Sequence, residues 1–119
     1  MLTDNDKIFI LNEFLTNIFG ISNKEYQKRV WILGEGPECD DFVETVCDFA
    51  DTWAPISDDY KNFNITESQY YMLKQFQEDF EIFYDDNHWP PDFIDSPEWA
   101  KIMEMAKEVL KAFNFQKNS

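Results

Sequence analysis

Apolar side chains recur at helical spacing along most of the chain. From about Asp4 to Phe19, Ile8, Leu11, Phe14, Leu15, Ile18 and Phe19 follow this pattern. Thr3 or Asp4 can cap its start, and Gly20 offers a left-handed stop. Ser22-Asn23-Lys24-Glu25 has the form of a capping box and predicts a short helix through about Trp31, although Ile32-Leu33 after Val30-Trp31 also fits a short strand. Gly34-Glu35-Gly36-Pro37 then breaks the chain into a loop. A third helix is predicted from Asp41 to Trp53, with Asp40 as N-cap and Phe42, Val46, Phe49, Ala50 and Trp53 in one stripe. Pro55 and Ser57-Asp58-Asp59 are expected to end it. Thr66-Glu67-Ser68-Gln69 is a second capping box, opening a helix that carries Tyr70, Leu73, Phe76 or Gln77, Phe80 and Phe83. Asp85 to Asp95, with Pro90-Pro91 inside it, reads as an extended loop. Ser96-Pro97-Glu98-Trp99 starts the last helix, whose apolar face is Trp99, Ile102, Met103, Ala106, Val109, Leu110 and Phe113.

The pattern predicts an all-α, single-domain bundle of about five helices over residues 1–119, with its core at about 4–114 and an acidic surface. Composition supports a real core: 44% of residues are hydrophobic, 18% are aromatic and Phe alone occurs 12 times. Each buried aromatic removes roughly 150–250 Å² from water, so neither metal nor disulfide is needed to hold a domain of this size. Disordered chains are poor in aromatics, which excludes that class. No run of apolar residues is long enough for a membrane span. The start, Met1-Leu2-Thr3-Asp4-Asn5-Asp6, lacks the features of a secretory signal. Cys39 and Cys47 would lie ~12 Å apart along a helix, too far for a disulfide. Two thiols without a leader predict a cytoplasmic protein.

Charge changes the picture most. There are 24 acidic residues against 10 basic ones, a formal net charge of -14. That balance repels phosphates and anionic membranes, so neither nucleic acid nor membrane is expected as a direct partner, and it attracts cationic surfaces. Between Arg29 and Lys61 lie Glu35, Glu38, Asp40, Asp41, Glu44, Asp48, Asp51, Asp58 and Asp59 with no basic residue. Between Lys74 and Lys101 lie Glu78, Asp79, Glu81, Asp85, Asp86, Asp92, Asp95 and Glu98, again without one. Solvated helices usually mix signs, because Glu–Lys pairs one turn apart are mildly stabilising. Trp53, Tyr60, Tyr84, Trp89 and Phe93 lie in or beside these windows. Aromatic anchors ringed by charge suit a protein interface, and carboxylates with rings also imitate nucleic acid. The candidate partner-binding residues are therefore the acids Glu35, Glu38, Asp58, Asp59, Asp85, Asp86 and Asp92, taken as loop residues, with Tyr60, Tyr84 and Trp89 as anchors.

Catalytic patterns are missing. His88 is the only histidine, and two Cys with one His do not have zinc spacing. Asp85-Asp86-Asn87 hints at a calcium loop, but Trp89 and Pro90 occupy its fifth and sixth positions, where the sixth needs glycine. No phosphate-binding glycine pattern occurs, and Ser57, Ser68 and Ser96 lack a nucleophile context. The expectation is no enzyme, no metal and no cofactor.

Arg29-Val30-Trp31-Ile32-Leu33-Gly34-Glu35-Gly36-Pro37-Glu38-Cys39-Asp40-Asp41-Phe42 resembles the start of a block found in small bacterial toxin-neutralising proteins. Pro91-Asp92-Phe93-Ile94-Asp95-Ser96-Pro97-Glu98-Trp99-Ala100-Lys101-Ile102 and the helix after it resemble its end. The resemblance is to immunity proteins of polymorphic or contact-dependent growth inhibition toxin systems, and it spans about residues 29–113. It implies a cytoplasmic protein that binds a cognate basic toxin domain in a 1:1 complex and occludes its active site. The acidic, helical character is also similar to that of immunity proteins for nuclease colicins, without a motif that transfers residues. The alternative is an acidic nucleic-acid mimic or antitoxin-like regulator that inhibits a DNA- or RNA-binding protein. A third reading, a small enzyme or accessory subunit, requires a concave pocket with perturbed carboxylates.

Overall fold

In the computed structural model, residues 2–35 and 41–115 are described. The elements are α1 (Asp4–Ser22), α2 (Lys24–Tyr26) running into a π-helical segment (Gln27–Ile32), α3 (Phe42–Asp58), a 3-10 turn (Tyr60–Phe63), α4 (Glu67–Asp86), the short α5 (Pro90–Phe93) and α6 (Pro97–Ala112). Among the described residues there is no strand, so Ile32 belongs to a helical segment rather than an extended one. Nor is any helix long and apolar enough to cross a membrane.

The predicted caps form where short polar side chains meet free backbone N–H groups. The Thr3 hydroxyl accepts from the Asp6 N–H while the Asp6 carboxylate accepts from the Thr3 N–H. That second bond, helped by the hydroxyl contact, holds the Asp6 carboxyl below its ordinary range. Thr66 and Gln69 form the same reciprocal pair at α4, and Ser96 accepts from the Trp99 N–H at α6, with Pro97 in the first turn. Thr66→Ala and Ser96→Ala should each lower stability by about 1 kcal/mol in urea denaturation.

Several boundaries move outward. Gly20 does not stop α1: the helix continues to Ser22 and buries Ile21 completely. A Cβ on Gly20 would lie 3.2 Å from the Tyr26 ring, so the glycine serves close approach instead of a left-handed turn. Among the described residues the left-handed positions are Gly34, at φ 65° beyond the π-helical segment, Asn64 at φ 59° and Asn114 at φ 52°. Asn23, not Ser22, caps α2, and Asp41, not Asp40, caps α3. Pro55 lies inside α3, which runs on to Asp58. Interior proline costs a helix about 3 kcal/mol. Full burial of Ile56 contributes a comparable amount, roughly 1.5–3 kcal/mol, and carries the helix one turn further.

Buried side chains form one contiguous cluster. Its centre is Trp99, wholly enclosed, with ring centroids of Phe93 at 4.9 Å, Phe83 at 5.1 Å, Phe42 at 5.9 Å, Trp31 at 6.2 Å and Phe80 at 6.5 Å. The indole N–H donates to Gln27 Oε1 at 2.9 Å, and Gln27 Nε2 donates to the Gly20 and Ile21 carbonyls, both at 2.9 Å. A fully buried glutamine thus ties the end of α1 to α6 with its side-chain oxygen and nitrogen both paired.

Candidate functional site

α1 packs against α6 and α3, and α4 packs against α6. α3 and α4 meet across aromatic rings: Phe42 to Tyr84 at 5.7 Å, Phe49 to Phe80 at 5.3 Å and Trp53 to Tyr70 at 6.0 Å. The two helices are therefore antiparallel neighbours, and the tertiary structure places the two acidic stretches of the sequence on adjacent elements.

The sequence-derived candidates separate into two groups along α3, which is ~24 Å long at 1.5 Å per residue. Tyr84, Asp85, Asp86, Trp89 and Asp92 gather where α4 ends and α5 begins. Exposed Glu35 follows the segment whose Trp31 packs on Phe42, at the same end of α3. Asp58, Asp59 and Tyr60 lie at the other end, where the Tyr60 ring is stacked on Tyr70 at 4.1 Å. Glu38 and Asp40 fall outside the described residues, as does Cys39; the Cys47 thiol is free and exposed. Asp85 and Asp86 are not loop residues: they form the last turn of α4, because Phe83 and Tyr84 keep that turn packed on Phe93 and Phe42. Nor is 85–95 an extended loop, since α5 occupies its middle.

Of the aromatic candidates, Phe93 is core, Tyr84 is half-buried against Phe42 and His88, and Trp53 is half-buried with its ring stacked on Phe14 and Tyr70. Trp89 alone is presented, with 64% of its surface exposed. It is held rigidly. The following Pro90 is buried and restricts Trp89 to the extended region, and the Trp89 carbonyl accepts from the Asp92 N–H at 2.9 Å.

One functional candidate was not legible as such in the sequence. Ile82 lies about half a turn away from Leu73 on α4 and is 67% exposed. Its neighbours one turn before and after on the helix surface are Glu78, Asp79, Asp85 and Asp86. Its departure from the Leu73–Phe76–Phe80–Phe83 stripe is the signal that could have found it. Among the described residues no Lys or Arg forms an ion pair with these acids; Asp79 instead accepts from Gln75 Nε2 at 3.2 Å. Lys101 lines the cleft between α4 and α6 beside Asp79, Asp86 and Glu98, a space of about 430 Å³ floored by Phe83, Ile102 and Met105. Compensation does reach one acid of this stretch. Lys24 Nζ donates to Asp95 at 3.0 Å, and that hydrogen-bonded ammonium holds the Asp95 carboxyl below its ordinary range. By contrast α6 mixes its signs, with Lys107 against Glu104 at 3.4 Å.

The ridge is also set against its own helix. Asp85 and Asp86 stand at the negative end of the α4 dipole, with no basic residue in the last turn, and Glu81 faces Asp85 at i,i+4. Chemically, the arrangement is an aliphatic contact point in a field of like charge, with the exposed Trp89 ring beyond the end of the same helix. Among the described residues no cluster of His, Cys, Asp or Glu is placed to hold a metal ion. No family model, curated protein or solved structure matches the chain.

Proposed function

We propose that this chain is an immunity protein, which binds a cognate basic toxin domain of the nuclease class in a 1:1 complex in the cytoplasm and covers its active site. The observation that carries the reading is the α4 ridge, where exposed Ile82 is ringed by Glu78, Asp79, Asp85 and Asp86, the last two at a helix end that disfavours negative charge. Unfavourable local charge that folding does not need is best accounted for by a partner that does. A nuclease groove must be cationic to hold phosphates, and an acidic ridge offers it the same sign of charge on a protein scaffold. Interfaces of this kind draw affinity from a few apolar anchors, here Ile82 and Trp89, and association rate from the charged rim. The resemblance of residues 29–42 and 91–102 to toxin-neutralising proteins points the same way.

The test is genetic and biochemical together. The C-terminal domain of a toxin encoded next to this gene should arrest growth when expressed alone, and co-expression with this chain should restore it. The two products should elute as one 1:1 species, with association slowing as salt rises. A toxic neighbour that neither binds nor is neutralised, or a locus with no toxin gene, overturns the reading.

A further inference from the structure

The four long helices pack in the order α3, α1, α6, α4. The seam between the two outer members, α3 and α4, is closed only at the level of their rings, of which Phe49 and Phe80 lie 5.3 Å apart. Above those rings runs an open cleft of about 270 Å³. Its floor is Phe49 and Phe80, with Trp53 and Tyr84 toward its two ends. The two lips differ. On α3 the lining residues are Val46 and Ala50, and half-exposed Val43 lies one turn before Val46. On α4 the lip is Gln77 and Glu81, with Asp85 one turn beyond Glu81. One wall is therefore small and uncharged and the other is anionic.

We propose that this cleft receives a helical segment of a basic protein partner, laid along the seam with an apolar edge on the rings and its lysines or arginines over the α4 lip. The inference rests on the immunity reading and adds to it the mode of capture. Three features select this occupant. An apolar floor between two helices matches the edge of a third helix, whose i, i+3 and i+4 side chains fill such grooves. Ala50 lets the incoming backbone approach the α3 wall closely. Glu81 and Asp85 have no ion-pair partner among the described residues, so a cation on the incoming flank meets carboxylates that nothing else neutralises. A second copy of this chain is disfavoured by its charge of -14.

The probe is a stapled helical peptide of about three turns, ~16 Å long, with leucines along one edge and lysines on the adjoining flank. Binding is read by isothermal titration and located by amide chemical shifts. The wild-type chain should bind it, with shifts centred on Val46, Ala50, Trp53, Gln77 and Glu81. Two double charge reversals then separate the cleft from bulk attraction, because they change net charge equally. Glu81→Lys/Asp85→Lys on the lip should weaken binding about tenfold or more, because each reversal sets a like charge against the peptide's lysines. Asp48→Lys/Asp51→Lys, at exposed positions of α3 outside the cleft, should leave it near the wild-type value. Ala50→Trp, at an exposed site, should fill the cleft and block the peptide while the helical circular dichroism persists. No binding by the wild type, equal loss from both reversals, or an Ala50→Trp protein that folds and binds normally would each overturn the proposal. A toxin still neutralised at full affinity by Ala50→Trp would remove the cleft and leave the immunity reading standing. A peptide held in the cleft by a chain that neutralises no toxin would do the reverse.

Discussion

Trp99→Ala is expected to leave the chain largely unfolded at growth temperature. The indole is fully enclosed and touches rings contributed by the π-helical segment, α3, α4 and α5. Truncating a buried tryptophan costs about 3–5 kcal/mol, because the cavity is only partly refilled. The change also strips Gln27 Oε1 of its donor, 2.9 Å away in the native chain, and an unpaired buried polar atom adds about 1–3 kcal/mol. Whole domains are typically stable by 5–15 kcal/mol, so the combined loss approaches the total. Urea titration followed by far-ultraviolet circular dichroism measures it. Trp99→Phe keeps a ring and loses the N–H, so it should fall between wild type and alanine. A Trp99→Ala protein less than about 2 kcal/mol below wild type would mean that the rings repack without their hub.

Neutralising the ridge should move stability and binding in opposite directions. In Asp85→Asn/Asp86→Asn, two negative charges leave the C-terminal turn of α4, and the like-charge pair of Glu81 with Asp85 is relieved. These terms are each a few tenths of a kcal/mol to about 1 kcal/mol at an exposed site, so the variant should be more stable by about 0.5–1.5 kcal/mol and melt a few degrees higher. The same variant should associate with a basic toxin domain roughly tenfold more slowly at low salt and with a shallower salt dependence. Ile82→Ala completes the set. It should leave stability nearly unchanged, because the side chain is exposed, and should speed dissociation about tenfold or more if it is a central anchor. Loss of stability in the double variant, or stopped-flow rates that do not change, would show that the acids serve the fold and not a partner.

The helices were largely legible in the chain because their information is local. Thr66 with Gln69, Ser96 with Pro97, and the period of Leu73, Phe76, Phe80 and Phe83 act over one to four residues. The sequence alone therefore specified the long helices and most of the buried stripe of α4 and α6, but not the short α5, nor that Ile8 and Ala50 of the predicted stripes stay exposed. Boundaries that depend on distant atoms were not legible. The close approach of the Tyr26 ring to Gly20, which stays inside α1, and the burial of Ile56, which carries α3 through Pro55, both depend on the packed chain. The candidate site divides in the same way. That acids outnumber bases, and that they fall in two stretches, is a property of the sequence itself. Which of them share a surface is not: α3 and α4 become neighbours only through rings far apart in the chain, Lys24 reaches Asp95 across 71 positions, and Asp58 and Asp59 are left at the far end of α3 from Asp85 and Asp86. Charge is counted residue by residue, whereas a charged surface is decided by which helices pack side by side.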